Sequence, residues 1–228
     1  MIFTCKTCVL SILSESARVL TRPVTLADVR SVWVGLRPLV APPQSAEGGT
    51  KTISREHTIV VDPGGLVTVT GGKWTTYRAM AEDVLAHCFD AGLLSRRPPA
   101  HTEAHRLLGA PAAGASNTPV YAEPGLHLYG GEADQVNALP GAAHWLTPGL
   151  SEAMVRFAVR HEYARSVEDV LARRSRLLFL DAAQAVAVAP KVAAVLQDEL
   201  NTDGQLAAFQ ALAGAYGPLK SHSPDHTA

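Results

Sequence analysis

Residues 66–78 read LVTVTGGKWTTYR, and no other stretch narrows the fold as far. Leu66, Val67 and Val69 are apolar, and β-branched Val and Thr fit a pleated, buried surface, so the run opens as a strand. Gly71-Gly72 ends it, because glycine allows a tight turn or a close approach to a ligand. Met80, Ala81, Val84, Leu85 and Cys88 then recur at helical spacing, with Thr75 or Thr76 as the cap. A strand, a glycine turn and a helix N-terminus together point free backbone N–H groups at an anion or a polarised carbonyl. Lys73 adds a positive charge at that turn. The competing reading is an ordinary strand-to-helix connection with a solvated lysine.

The flanks supply the expected architecture. The turn Asp62-Pro63-Gly64-Gly65 predicts a hairpin of residues 52–61 against 66–70. The helix from residue 75 ends at Gly92, a suitable C-terminal glycine. Upstream, residues 11–20 read as an amphipathic helix broken by Pro23. Thr25 caps a turn after it, and residues 31–40 read as a strand interrupted around Arg37. Residues 98–118, rich in Pro, Gly and Ala, read as a linker. From residue 119 onward the pattern reads helical throughout. One helix covers 132–139, and one starts at Pro148 or Ser151 and runs to Ala164. One is capped by Ser166, one spans 181–200 with Pro190 as a kink or break, and one covers 205–216. Residues 218–228 read as a disordered tail. The expected class is α+β in residues 1–97, followed by an all-α domain over 119–217.

Bulk properties exclude several classes. A formal net charge of −1 argues against a nucleic-acid or acidic-membrane binder. Arg173, Arg174 and Arg176 form one short basic run, better read as partners for Glu162 or Asp169. Three cysteines suit a reducing compartment rather than a disulfide framework. Cys5-x-x-Cys8 has no second pair to complete a zinc site, so no metal is expected. No apolar run reaches 18 residues, and the N-terminus lacks a signal-peptide cleavage site. His161-Glu162 lacks the second histidine of H-E-x-x-H, and no G-x-S-x-G elbow occurs.

Four blocks then fall in one order and spacing: VGLRPLV at 34–40, TKTISREHTI at 50–59, the run at 66–78, and RFAVRHEYARSVEDVLARR at 156–174. Together they resemble the C-terminal portion of FAD-dependent, respiratory glycerol-3-phosphate dehydrogenases. The resemblance runs from about Ile12 to Leu200. Such enzymes begin with a strand and a G-x-G-x-x-G turn that holds the FAD pyrophosphate. No such run occurs here, so a C-terminal fragment with part of a flavin and substrate domain over 1–97 is expected.

The resemblance implies oxidation of sn-glycerol 3-phosphate to dihydroxyacetone phosphate, with electrons passing through FAD to a quinone. It places Arg37, Arg55 and Lys73 on substrate-site positions, with Lys73 and Arg55 at the reacting centre. It places Gly71, Gly72, Lys73, Trp74 and Thr75 on the turn that meets the flavin. Trp74 stands where the family often has an aliphatic residue. The general base is not identified, and His57 is the histidine beside these motifs. The resemblance also implies a homodimer and association of the full enzyme with a membrane surface. The expected location is the cytoplasm or the cytoplasmic face of the inner membrane. Three functional readings stay open. The chain is a flavoenzyme piece inactive alone, or a dehydrogenase whose FAD domain comes from a separate chain. In the third reading it is a non-enzymatic helical interaction module.

Overall fold

A computed structural model describes residues 6–35, 56–98, 100–110, 118–119 and 122–218. It is mostly helical with two small sheets, and it divides into two compact units. One unit is formed by Met1–Gly35 with Leu108–Ala228, the other by Leu36–Leu107. The first segment therefore groups with the helical unit, not with the strands of the first third. Helix α1 (Lys6–Ser16) is five residues ahead of the expected start at residue 11. Thr25 precedes a single 3-10 turn, Leu26–Asp28, and Thr25 N–H and hydroxyl both donate to the Asp28 carboxylate. Residues 29–35 form a strap instead of the expected strand. The reason lies in their partners, which are helix ends. Val32 N–H donates to the Tyr216 carbonyl at 2.8 Å. The Ser31 hydroxyl donates to the Leu178 carbonyl and accepts from Ala182 N–H.

In the smaller unit, β1 (His57–Val61) pairs antiparallel with β2 (Val67–Gly71), as the turn chemistry predicts, and α2 (Tyr77–Asp90) packs on β1. Gly92 follows the helix at a φ of +71°. None of the described residues of this unit is buried, and Val60, Leu66 and Val69 are exposed. A two-stranded ribbon without a covered face is marginal in water. Amide exchange across β2 in the isolated chain is therefore expected to be complete within minutes at neutral pH, with a tendency to aggregate. Slow, protected exchange across residues 67–71 in a monodisperse monomer would overturn this expectation.

The helical unit has a full core. Its elements are α3 (Ala133–Asn137), β3 (Trp145–Thr147), β4 (Leu150–Ser151), α4 (Glu152–His161) and one π-helical turn (Asp169–Arg174). After these come α5 (Leu177–Leu180), α6 (Ala182–Leu200) and α7 (Leu206–Ala213). The β3–β4 hairpin corrects the all-helical reading of this region. It spans Pro148-Gly149, a turn pair, and its strands are too short to show alternation. Ser151 and Asp181 cap α4 and α6, accepting from Met154 N–H and Gln184 N–H. Pro190 lies inside α6 without ending it, so the expected break is absent. Helix α6 is the hub, packed by α4, α5, α7 and β3. Val188, Val192 and Leu196 on α6 are buried against Phe157, Leu171 and Phe209.

One ion network ties α4 to α6. Arg156, with 11% of its side chain exposed, bonds Glu152 at 2.5 Å and Glu199 at 2.5 Å, and Arg160 bonds Glu199 at 2.6 Å. Hydrogen bonds from Arg160, opposed by burial and reinforced by Arg156, hold the Glu199 carboxyl below its usual range. A depressed carboxylate stabilises the fold above its unfolded pKa and loses that contribution as pH falls through its folded pKa. The melting temperature of the helical unit should therefore fall with acidification through and below the ordinary glutamate range. Glu199→Gln should flatten that slope. An unchanged slope in thermal melts across this range would remove Glu199 from the network's pH response.

Candidate functional site

The glycine turn sits where β2 meets α2. The ladder sets His57 opposite Gly71. Gly71 and Gly72 have φ of +75° and +82°, a region that L side chains rarely adopt. A Cβ on Gly71 would stand 2.7 Å from the Glu56 carbonyl oxygen, and one on Gly72 would stand 2.5 Å from Met80 Cε. Both glycines are thus fixed by the close fold of the turn onto β1 and α2.

Lys73 is extended, and a 3-10 turn, Trp74–Thr76, separates it from α2. Neither Thr75 nor Thr76 supplies the expected cap. The Thr76 hydroxyl instead donates to the Lys73 carbonyl at 3.0 Å. The Lys73 side chain is exposed and has no ion-pair partner among the described residues. Trp74 is 86% exposed, and its indole stacks on the Tyr77 ring at 5.4 Å with a 27° interplanar angle. Between residues 71 and 77 the chain presents a cation and a flat aromatic pair. Such a surface can take a planar group by stacking and stabilise negative charge growing on it. Arg37 and Arg55 lie outside the described residues.

Behind the turn is a cluster the residue pattern did not reveal. His57 Nε2 lies 2.7 Å from Asp83 Oδ2, and His87 Nδ1 lies 3.4 Å from Asp83 Oδ1. Asp83 follows Met80 by one helical turn, the spacing that brings it to the side of α2 facing β1, but nothing in the pattern named His57 as its partner. In the helical unit, Arg173 pairs with Glu168 and Asp169, and Arg174 reaches Glu162 at 3.5 Å. Two of the three arginines of the basic run are therefore spent on internal ion pairs. Among the described residues no His, Cys, Asp and Glu group could hold a metal ion, and no helix is long and apolar enough to cross a membrane.

Residues 71–206 match the family described as the C-terminal domain of alpha-glycerophosphate oxidase, and the chain belongs to that family. It is 34% identical to the mitochondrial glycerol-3-phosphate dehydrogenase of Arabidopsis thaliana, over 79% of this chain and 33% of that protein. It is 34% identical to the mitochondrial enzyme of Bos taurus, over 79% of this chain and 27% of that protein. With a probable mitochondrial glycerol-3-phosphate dehydrogenase of Caenorhabditis elegans it shares 36% identity, over 83% of this chain and 29% of that protein. The chain thus spans about a third or less of the length of these relatives. Their mitochondrial designation overturns the expected cytoplasmic location.

Proposed function

We propose that the chain is the C-terminal part of a flavoprotein that oxidises sn-glycerol 3-phosphate to dihydroxyacetone phosphate. The observation that carries this reading is the turn at 71–77, which opens the matched family region and presents Lys73 beside the exposed Trp74 and Tyr77 rings. The residues fit FAD, since the exposed Trp74 and Tyr77 rings offer a face for stacking and Lys73 stands beside them. Gly71, Gly72, Lys73, Trp74 and Thr75 would hold it, and bound FAD supplies the acceptor for the hydride from the substrate's C2. The chain's own share is positioning and charge. Lys73 lies between substrate and cofactor and stabilises the negative charge that grows there. Arg37 and Arg55, by their place in the family motifs, hold the phosphate or the C2 oxygen with planar, bidentate donors. A quinone is the proposed final electron acceptor, and a homodimer at a membrane surface the proposed form of the whole enzyme. Residues 36–107 are proposed as the partial flavin and substrate domain, since the turn lies within that unit.

The chain carries no G-x-G-x-x-G run, so it is expected to bind no FAD and to oxidise no glycerol 3-phosphate alone. A visible absorbance scan of the purified chain, with a dye-coupled oxidation assay, checks this. A yellow, active preparation would overturn it. The non-enzymatic reading, a helical interaction module, is favoured by one observation: the buried core lies in the helical unit. It would be supported if a full-length chimera carrying this segment folded and loaded FAD but turned over no substrate.

A further inference from the structure

The His57–Asp83–His87 cluster is a titratable group behind the glycine turn, among the described residues, that the proposed chemistry does not use. An ionised carboxylate only accepts hydrogen bonds. His57 Nε2, 2.7 Å from Asp83 Oδ2, must therefore carry the proton and donate it. In the neutral ring this leaves Nδ1 bare, and Nδ1 has no hydrogen-bond partner among the described residues. His57 stands opposite Gly71, and its Cβ lies 3.1 Å from where a Gly72 Cβ would be. A quarter of its side chain is exposed, which leaves a path for a proton. Asp83 is itself held, since His87 Nδ1 lies 2.9 Å from its backbone carbonyl and 3.4 Å from its Oδ1.

We propose that Asp83 is a positioning residue that locks His57 as the Nε2–H tautomer and leaves Nδ1 as the general base for an alcohol held at the glycine turn. This rests on the dehydrogenase reading given above. The step balances. The O–H proton of the C2 hydroxyl would pass to His57 Nδ1 and the C2–O bond would become the ketone, with FAD, when bound, supplying the acceptor for the C2 hydride. The imidazolium so formed faces the Asp83 carboxylate, which stabilises it without taking its proton.

Two measurements test the proposal. The first uses the folded, flavin-loaded chimera described next, because the smaller unit is marginal in the isolated chain. Nitrogen-15 spectra of its histidine rings should give His57 as protonated at Nε2 and bare at Nδ1. Asp83→Asn should mix or invert the two forms. A His57 protonated at Nδ1 in the unaltered chimera would overturn the positioning role. The second uses the Arabidopsis thaliana relative with its C-terminal third replaced by this chain. His57→Gln should lower kcat about 100-fold, and Asp83→Asn roughly 10- to 100-fold. KM should be little changed in both. Asp83→Glu should recover most of the loss, which a merely structural defect would not allow. An active chimera whose kcat survives both substitutions would overturn the base assignment. A folded, flavin-loaded chimera with no activity would instead sink the dehydrogenase reading and the base with it, while the tautomer spectra still decide the positioning role.

Discussion

In a full-length chimera carrying this segment, Lys73→Met is expected to lower kcat about 100- to 1000-fold, roughly 3–4 kcal/mol. The exposed ammonium has no ion-pair partner among the described residues, so no folded-state pair is lost when it is removed. Its methylene stem is kept by methionine. The change therefore acts on charge growing in the transition state, which enters kcat and kcat/KM together. Melting temperature should stay within a degree or two. The alternative is that Lys73 serves the fold alone. In that case the melting point drops while the folded fraction keeps its kinetics. Steady-state kinetics and thermal melts on the same samples separate the two.

Phe157→Ala is expected to have the opposite signature. Phe157 is 1% exposed, packs edge-on against Tyr129 at 5.4 Å and lies over His161 at 4.7 Å. Truncating such a side chain costs about 3–5 kcal/mol through lost transfer energy and the cavity left behind. Small domains hold only about 5–15 kcal/mol in total. The melting temperature of the helical unit should fall by about 10–20 °C, and the glycine turn in the other unit should be untouched. A shift below about 3 °C would show that the core around α4 and α6 is not packed as described.

What the residue pattern made legible was local. Ser151 and Asp181 sit before apolar runs of helical spacing where helix starts were expected, and both cap the helices that begin there. The hairpin followed from one Pro-Gly-Gly turn between β-branched runs. The Trp145–Ser151 hairpin was hidden because strands this short have no period to read. The break offered at Pro190 is absent, because a proline costs one hydrogen bond that the packing of α6 against α4, α5, α7 and β3 outweighs. At the site, the glycines and Lys73 could be read from the sequence. Their surroundings could not. A 3-10 turn consumed the Thr76 hydroxyl, and the His57–Asp83 bond joins residues 26 positions apart. The strap was illegible for the same reason, since nothing in residues 29–35 announces partners near residues 178, 182 and 216.

That strap has a consequence for how the chain is made. Ser31 waits for Ala182, 151 positions later, so the helical unit closes around an inserted segment rather than growing from one end. At roughly 5–20 residues per second of synthesis, the interval is about 8–30 s. Closing a loop of that length costs about 4–5 kcal/mol in chain entropy. The ribosome therefore releases residues 29–35 long before their seat exists, and the last helices decide when this strap is captured.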